Sequence, residues 1–508
     1  MSSEIQDTFA PPARSDIPPH TSSLTRNTVI NLLGSASPLA IAFFALPVLT
    51  RALGTARFGV LTLTWAVLGY VSLFDLGLGR AITKVVAEKI GRGEEQDIGS
   101  LVWNSLGIMI VLGVAGALLV LATAPLLMRH VLQIPAGLEQ ESLESFYLVG
   151  ISIPVVTSMA GLRGVLEAKQ RFDLVNMLRI PLGAYTLLSP LLVLPFSHSL
   201  VPLVAMLLLG RVVAWIAYLR LCYRVIPSLR SPPVIDLSAV RSLVRFGSWI
   251  TVSNIISPLM VTLDRFVIGA VISVAAVAYY TAPYEAVTKL WLVPGAVTGV
   301  LFPAFAAVWV RQDQEVVRLL QQGVKYTFIL LFPIVLVIVT LGHEGLTFWL
   351  GREYAEHSTE VLQWLAIGVF VNCLGHIPYA LIQAVGRPDL TAKLHLLELP
   401  FYLAALWWLI GVFGIEGAAV VWAVRLFVDT IALFAVARKL VPARSLGLGW
   451  LVLGSLTMLA LVVISLLARR LDVRVIVLAL TLPTFLIAAW YRILSAEERN
   501  RWRTYART

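Results

Sequence analysis

Apolar residues run in blocks of about twenty, separated by short polar stretches, from near Asn27 almost to the C-terminus. As a helix rising 1.5 Å per residue, a block of this length crosses a ~30 Å hydrocarbon core. The pattern predicts fourteen spans, over 28–50, 58–79, 101–124, 143–166, 174–196, 201–219, 246–271, 277–302, 326–348, 360–384, 390–411, 416–437, 447–468 and 474–494. The ~10-residue alternation of a membrane β-barrel is absent from the sequence. The expected fold is an all-α polytopic membrane protein. The stretch 303–325 keeps apolar residues at helical spacing and suits a helix lying along the membrane surface.

Composition agrees with this reading. The 508 residues are 58% hydrophobic and 13% charged, against roughly 25% charged in soluble domains. Mean hydropathy is +0.85. The first 26 residues mix Pro, Ser and acids without an apolar core. They read as a disordered cytoplasmic tail and not as a signal peptide. Cys222 and Cys373 fall in or beside apolar runs, so neither a disulfide nor a metal site is expected.

The net charge of +10 suggests nucleic acid at first sight, but its distribution suggests topology. With the N-terminus inside, and charges near a span end counted with the adjoining loop, 27 of the 39 Lys and Arg lie inside, 7 outside and 5 within spans. The positive-inside rule then puts both termini in the cytoplasm. Arg469, Arg470 and Arg474 fit this least well, between the last two spans.

The two halves of the chain resemble each other. "SPL" at 37–39 recurs at 257–259, and "EAKQRFDL" at 167–174 recurs as "QAVGRPDL" at 383–390. "LRIP" at 178–181 matches "LELP" at 397–400, and "RVVAWIAYLRLCYR" at 211–224 matches "RLFVDTIALFAVAR" at 425–438. Four matches in one order predict two parallel six-helix repeats, with the substrate between them. The expected organisation is a cytoplasmic tail (1–26), an N-terminal lobe (27–222), a cytoplasmic linker (223–245) and a C-terminal lobe (246–440). An accessory hairpin of spans 13–14 (441–496) and a cytoplasmic tail (497–508) complete it.

Several stretches carry a family resemblance. These are "PVLTRALGTARFGVLTL" (47–63), "YVSLFDLGLGRAITKVVAE" (70–88), "GVLEAKQRFDLVNMLRIP" (164–181) and "FGSWITVSNIISPLMVTLDRFVIG" (246–269), the last followed by "AYYTAPYEAV" and "LFPAF". Over about 26–440 the chain resembles the polysaccharide transporter or oligosaccharide flippase family of the Wzx type. The same superfamily holds multidrug exporters and lipid II flippases. The resemblance implies two lobes in a V, alternating access and a bacterial inner membrane. It implies a polyprenyl-diphosphate-linked oligosaccharide as cargo, moved outward for O-antigen, capsule or exopolysaccharide, with polymerase and chain-length machinery as partners. It fixes no binding residue. The runner-up is a cation-coupled drug or toxin exporter of the same superfamily. A membrane polymerase or glycosyltransferase ranks lower, because the sequence has no long outside loop, acidic metal motif or nucleotide-binding glycine loop. No cofactor and no nucleic-acid partner are expected, and the chain reads as a transporter rather than an enzyme.

Charges inside the spans are the candidate chemistry, because each costs on the order of 2.5–3.5 kcal/mol there. Asp264 and Arg265 lie about 10 Å below the outer end of span 7, counted at 1.5 Å per residue. Glu285 lies at a similar depth in span 8, with Lys289 one turn deeper on the same face. They form either a charged cavity wall, with Arg265 or Lys289 open to phosphate, or a strut between the spans. Arg211 and Arg425 hold matching repeat positions near mid-membrane, and Arg offers phosphate a planar fork of donors. Asp429, four residues on, is the expected partner of Arg425. Arg179 and Glu398 also correspond and are candidates for an inner gate or for plain interfacial placement. Asp75, Gly77, Gly79 and Arg80 in "FDLGLGRA" suit a hinge or a helix cap. His376 offers one titratable group in span 10. Tyr279, Tyr280 and Tyr284 read as interfacial aromatics, with sugar stacking as the alternative.

Overall fold

A computed structural model describes residues 21–70, 78–230, 260, 262–309, 313–441, 471–495 and 498–500. Among these residues there is helix and no strand. The early helices are α1 (Thr21–Tyr70), α2 (Leu78–Gly91), α3 (Ile98–Leu126), α4 (Glu139–Ala168), α5 (Phe172–Val193) and α6 (Leu200–Val225). A segment over 262–271, α7, turns into α8 (Val274–Val287). There follow α9 (Leu292–Val308), α10 (Asp313–Trp349), α11 (Arg352–Ala384), α12 (Pro388–Leu440) and α13 (Leu471–Ala488).

Two of these helices are too long for one crossing. At 1.5 Å per residue the 50 residues of α1 and the 53 of α12 would each run over about 75 Å. Each leaves helical geometry at a glycine with positive φ, Gly54 (φ 72°) and Gly414 (φ 63°). These are the breaks expected between spans 1 and 2 and between spans 11 and 12. Nine segments among the described residues are long and apolar enough to cross a membrane, α12 counted as one. Span 13 and much of span 7 lie outside the described residues. Large apolar side chains such as Phe196 and Phe348 are almost fully exposed, as in a chain whose outer face meets lipid rather than water.

Within the early set, α3 packs on α4, α4 on α6 and α2, and α5 on α6. Small residues set these distances: a Cβ on Gly164 would stand 2.5 Å from the Gly79 carbonyl oxygen, so α2 crosses α4 backbone to backbone. Within the later set α11 is central, meeting α8, α9, α10 and α12. Its core window is 83% buried, against 6% for α13, which touches α10 at the periphery.

The sets meet chiefly where α1 packs on α8. A Cβ on Gly59 would stand 1.7 Å from the Val274 carbonyl oxygen. Nearby, the backbone N–H of Gln133 donates to Gly269 O at 2.9 Å, and its side chain donates to Val271 O at 3.1 Å. Trp349 Nε1 donates to Phe43 O at 2.7 Å, and the two rings stack. The end of the bundle carrying the α3–α4 and α7–α8 turns is therefore held shut.

The repeat is visible in side-chain geometry. In the α4–α5 turn, Arg171 donates from Nε and Nη2 to both oxygens of Asp173, at 3.0 and 2.9 Å. In the α11–α12 turn, Arg387 does the same to Asp389, at 2.9 and 3.3 Å.

Candidate functional site

The α7–α8 hairpin gathers four charges. Asp264 is wholly buried and Arg265 nearly so. Asp264 accepts from Tyr280 Oη at 2.6 Å and from the Arg265 backbone N–H at 2.8 Å. Arg265 Nη2 lies 3.4 Å from Glu285 Oε1, and Lys289 Nζ 3.0 Å from Glu285 Oε2. Glu285 is thus bridged by two cations. The Glu285 and Lys289 side chains keep 32% and 39% exposure, which leaves this end of the network open to a ligand or solvent. Tyr280 and Tyr284 are buried rather than interfacial. One holds Asp264 and the other lies under the Arg265 guanidinium, 4.6 Å from its ring centroid.

A second group sits between the two halves of α12. Arg425 Nε lies 3.5 Å from Glu398 Oε2, and its guanidinium rests 5.6 Å from the Tyr402 ring. His395 Nε2 lies 3.3 Å from Asp429 Oδ1. These are successive rungs of an antiparallel hairpin, and they correct one expectation. Asp429 is not the partner of Arg425, because each acid is met by the facing half-helix rather than by its own. Arg179 is exposed, while its repeat counterpart Glu398 is buried and held by Arg425.

Beside these rungs lies a cleft of about 310 Å³, lined by Trp291, His376, His395, Trp422, Arg425 and Asp429 among others. Every lining residue comes from the later helices. Arg425 therefore faces a cleft within that set. Arg211, its repeat counterpart on α6, is half-buried and shows no ion pair among the described residues. The two repeat-related arginines differ: Arg425 is paired, and Arg211 has no ion pair among the described residues.

Aromatic rings join the two charge groups. Tyr284 lies edge-on to Trp422 at 5.5 Å, Trp422 lies 6.5 Å from Trp291, and Trp291 lies 6.4 Å from His376. Sequence reasoning passed over Trp422 and His395. The spacing Trp422, Arg425, Asp429 is i, i+3, i+7, one helical face, and His395 lies three residues before Glu398 on the facing half. Asp75 and Gly77 lie outside the described residues. Gly79 packs against Gly164, and Arg80 lies in α2.

A model of the family described as polysaccharide biosynthesis protein matches residues 24–309. A Shigella flexneri protein named as an O-antigen transporter is 32% identical over 413 residues, which is 81% of this chain and 97% of that protein. Among solved structures, the inward closed conformation of the lipid II flippase MurJ aligns with a TM-score of 0.68 at 12% identity, over 92% of this chain and 98% of that one. An inward-facing multidrug resistance MATE transporter also aligns at 0.68, with 14% identity, over 80% of this chain and 97% of that one. The shared score shows one fold serving a flippase and an exporter, so the fold does not choose between the cargoes.

Proposed function

The chain belongs to the polysaccharide biosynthesis protein family, and from that premise we propose that it is a flippase for a polyprenyl-diphosphate-linked oligosaccharide. It moves this cargo from the cytoplasmic to the periplasmic leaflet of a bacterial inner membrane, for O-antigen, capsule or exopolysaccharide assembly. Both termini face the cytoplasm. The early and later helices act as two lobes, 27–222 and 246–440, which open alternately to the two sides, with 441–496 accessory. Downstream polymerase and chain-length machinery receive the product. The chain acts as a transporter and carries out no covalent step.

One observation carries the reading: a polar and aromatic track runs from the half-exposed Lys289 and the buried Arg265 through Tyr284 and Trp422 to the cleft beside Arg425. Desolvating these charges is costly. A cargo with anionic and hydroxyl groups makes use of them, while its polyprenyl tail stays in lipid. Lys289, whose side chain is 39% exposed, and Arg211, with no ion pair among the described residues, offer cationic donors to a diphosphate. The closed end is the periplasmic one under the positive-inside assignment, so the cleft loads from the cytoplasm.

Deletion of the gene, followed by analysis of lipid-linked glycan, tests this. Repeat units should accumulate in the cytoplasmic leaflet and surface glycan should disappear. Unchanged glycan with new drug sensitivity would instead establish the exporter.

A further inference from the structure

We propose that the cleft beside Arg425 is a sugar subsite, which seats one pyranose unit of the glycan. The proposal rests on the flippase reading and adds a division of labour: the α7–α8 cations take the diphosphate, and the α11–α12 cleft takes the sugar.

The chemistry of the cleft selects a polyol. Its one fixed cation, Arg425, is met by Glu398, and a second acid, Asp429, faces His395. A phosphate would require surplus cations. A lipophilic drug cation would pair with Asp429 but leave the Arg425 guanidinium and two indole N–H groups unused. Those indoles belong to Trp291 and Trp422, whose Nε1 atoms are buried without a hydrogen-bond partner among the described residues. Acceptors stand opposite these donors. The Asn372 carbonyl lies 2.9 Å from Nδ1 of His376 and can only accept, so Nδ1 carries the proton and Nε2 of the neutral ring is left as an acceptor. Asp429 adds carboxylate oxygens. A hydroxyl both donates and accepts, so a ring of hydroxyls satisfies this mixed set.

The shape agrees. The Trp291 and Trp422 rings lie 6.5 Å apart, inclined at 44°. The partly exposed Trp291 ring gives flat apolar surface to the C–H face of a pyranose, backed by the wholly buried Trp422, while the hydroxyls turn to His395, Asp429 and Arg425. A cleft of about 310 Å³ is far larger than a bare ion needs and near the lower end of small-molecule pockets. Trp422 also contacts Tyr284, which lies under Arg265, so the sugar site adjoins the cationic hairpin, as a cargo with its first sugar bonded to diphosphate requires.

Saturation-transfer NMR on the purified full chain tests the proposal. The probe is the lipid-free repeat-unit oligosaccharide, released by mild acid from the host's own polyprenyl diphosphate. Binding of sugar-free polyprenyl diphosphate is measured in parallel, and the thermal unfolding of each variant is checked. Wild type should saturate the sugar protons. His395→Gln, Asp429→Asn and Trp291→Phe should each cut the signal at least fivefold and leave polyprenyl diphosphate binding within twofold. Trp291→Phe keeps a ring in the core, so at least one variant retains the fold. No sugar signal in wild type, or equal signal in folded variants, overturns the subsite while the flippase reading stands on its diphosphate binding. A wild type that binds neither probe overturns both.

Discussion

Gln170 and Gly386 hold the same left-handed backbone, φ 56° and φ 76°, at equivalent places in the two halves of the chain. In the first turn Gln170 N–H donates to Glu167 O and Arg171 N–H to Leu166 O, both at 2.9 Å. In the second, Gly386 N–H donates to Gln383 O and Arg387 N–H to Ile382 O, both at 3.1 Å. The four acceptor and donor positions each differ by 216, so the repeat extends to single hydrogen bonds. Glycine takes this conformation freely, whereas a side chain in it costs roughly 1–2 kcal/mol. Gln170→Gly should therefore stabilise the protein by about 0.5–1 kcal/mol, after the entropy that glycine adds to the unfolded chain. Gly386→Ala should destabilise it by about 1 kcal/mol. Melting in one detergent reads both, and shifts of equal sign would contradict the shared turn.

The buried half of the hairpin cluster depends on Tyr280. Its hydroxyl is the side-chain donor to Asp264 Oδ2, in a site with no solvent. Tyr280→Phe leaves that oxygen without this bond and should cost about 1–3 kcal/mol, with a lower melting point. Glu285→Gln acts differently. It strands Arg265, as buried as Arg425, without its shared anion, so it should lower the melting point as well as export. Export at wild-type level in a folded Glu285→Gln protein would reduce the network to architecture.

A pH dependence follows from the C-terminal segment. Glu498 accepts from Lys325 Nζ at 2.5 and 2.7 Å and from Tyr326 Oη at 2.6 Å. Burial pushes its carboxyl up, but these bonds and the Ser495 N–H outweigh burial and hold it down at about 2. An unfolded Glu titrates near ~4.3. Because the folded value is the lower, the stabilisation is complete above ~4.3 and is lost as pH falls through about 2. Hydrogen exchange over 489–500, corrected for intrinsic rate, should stay constant from pH 7 to about 5. Glu498→Gln should raise it at every pH in that range, and equal exchange in the two proteins would remove the anchor.

What the sequence revealed, and what it hid, follows from how far each inference had to reach. The breaks near Gly54 and Gly414 were legible because a helix of 50 or more residues overshoots any bilayer. Arg265 and Glu285 were placed at one depth because only a short turn separates their helices, so counting errors stay small. Arg425 was assigned to Asp429 because i, i+4 is the nearest candidate in a linear sequence. The real partner, Glu398, lies 27 positions earlier and becomes a neighbour only once α12 folds back. Trp422 was hidden by composition: the chain has 14 Trp, and an aromatic in an apolar run carries no mark of what it faces.

Closure between the early and later helices should be sensitive to one atom. The Gly59 position leaves no room for a Cβ, which would meet the Val274 backbone. Gly59→Ala should push α1 from α8 and favour separation at this end. Spin labels at the exposed positions Arg51 and Arg352, each replaced by Cys, should report longer distances in the variant. Cys222 and Cys373 are buried, so labelling stays specific. An unchanged distance distribution would show that the α1–α8 contact does not hold this end shut.

The two repeat-related arginines should respond in opposite ways. Arg425 and Glu398 are both about one-tenth exposed, and removing one member of such a pair strands the other. Arg425→Gln should cost roughly 3–5 kcal/mol. Adding Glu398→Gln should recover most of that loss, because two amides need far less solvation than one carboxylate. Adding Asp429→Asn instead should recover little, since Asp429 faces His395. Arg211 has no ion pair among the described residues, so Arg211→Gln should leave the melting point nearly unchanged. If Arg211 meets the diphosphate, the same change should abolish export of lipid-linked glycan. Melting and export measured on the five proteins, wild type included, separate these roles. Rescue of Arg425→Gln by Asp429→Asn and not by Glu398→Gln would mean that the hairpin rungs are misassigned. Normal export in Arg211→Gln would leave the phosphate contact to Arg265 and Lys289 of the α7–α8 hairpin alone.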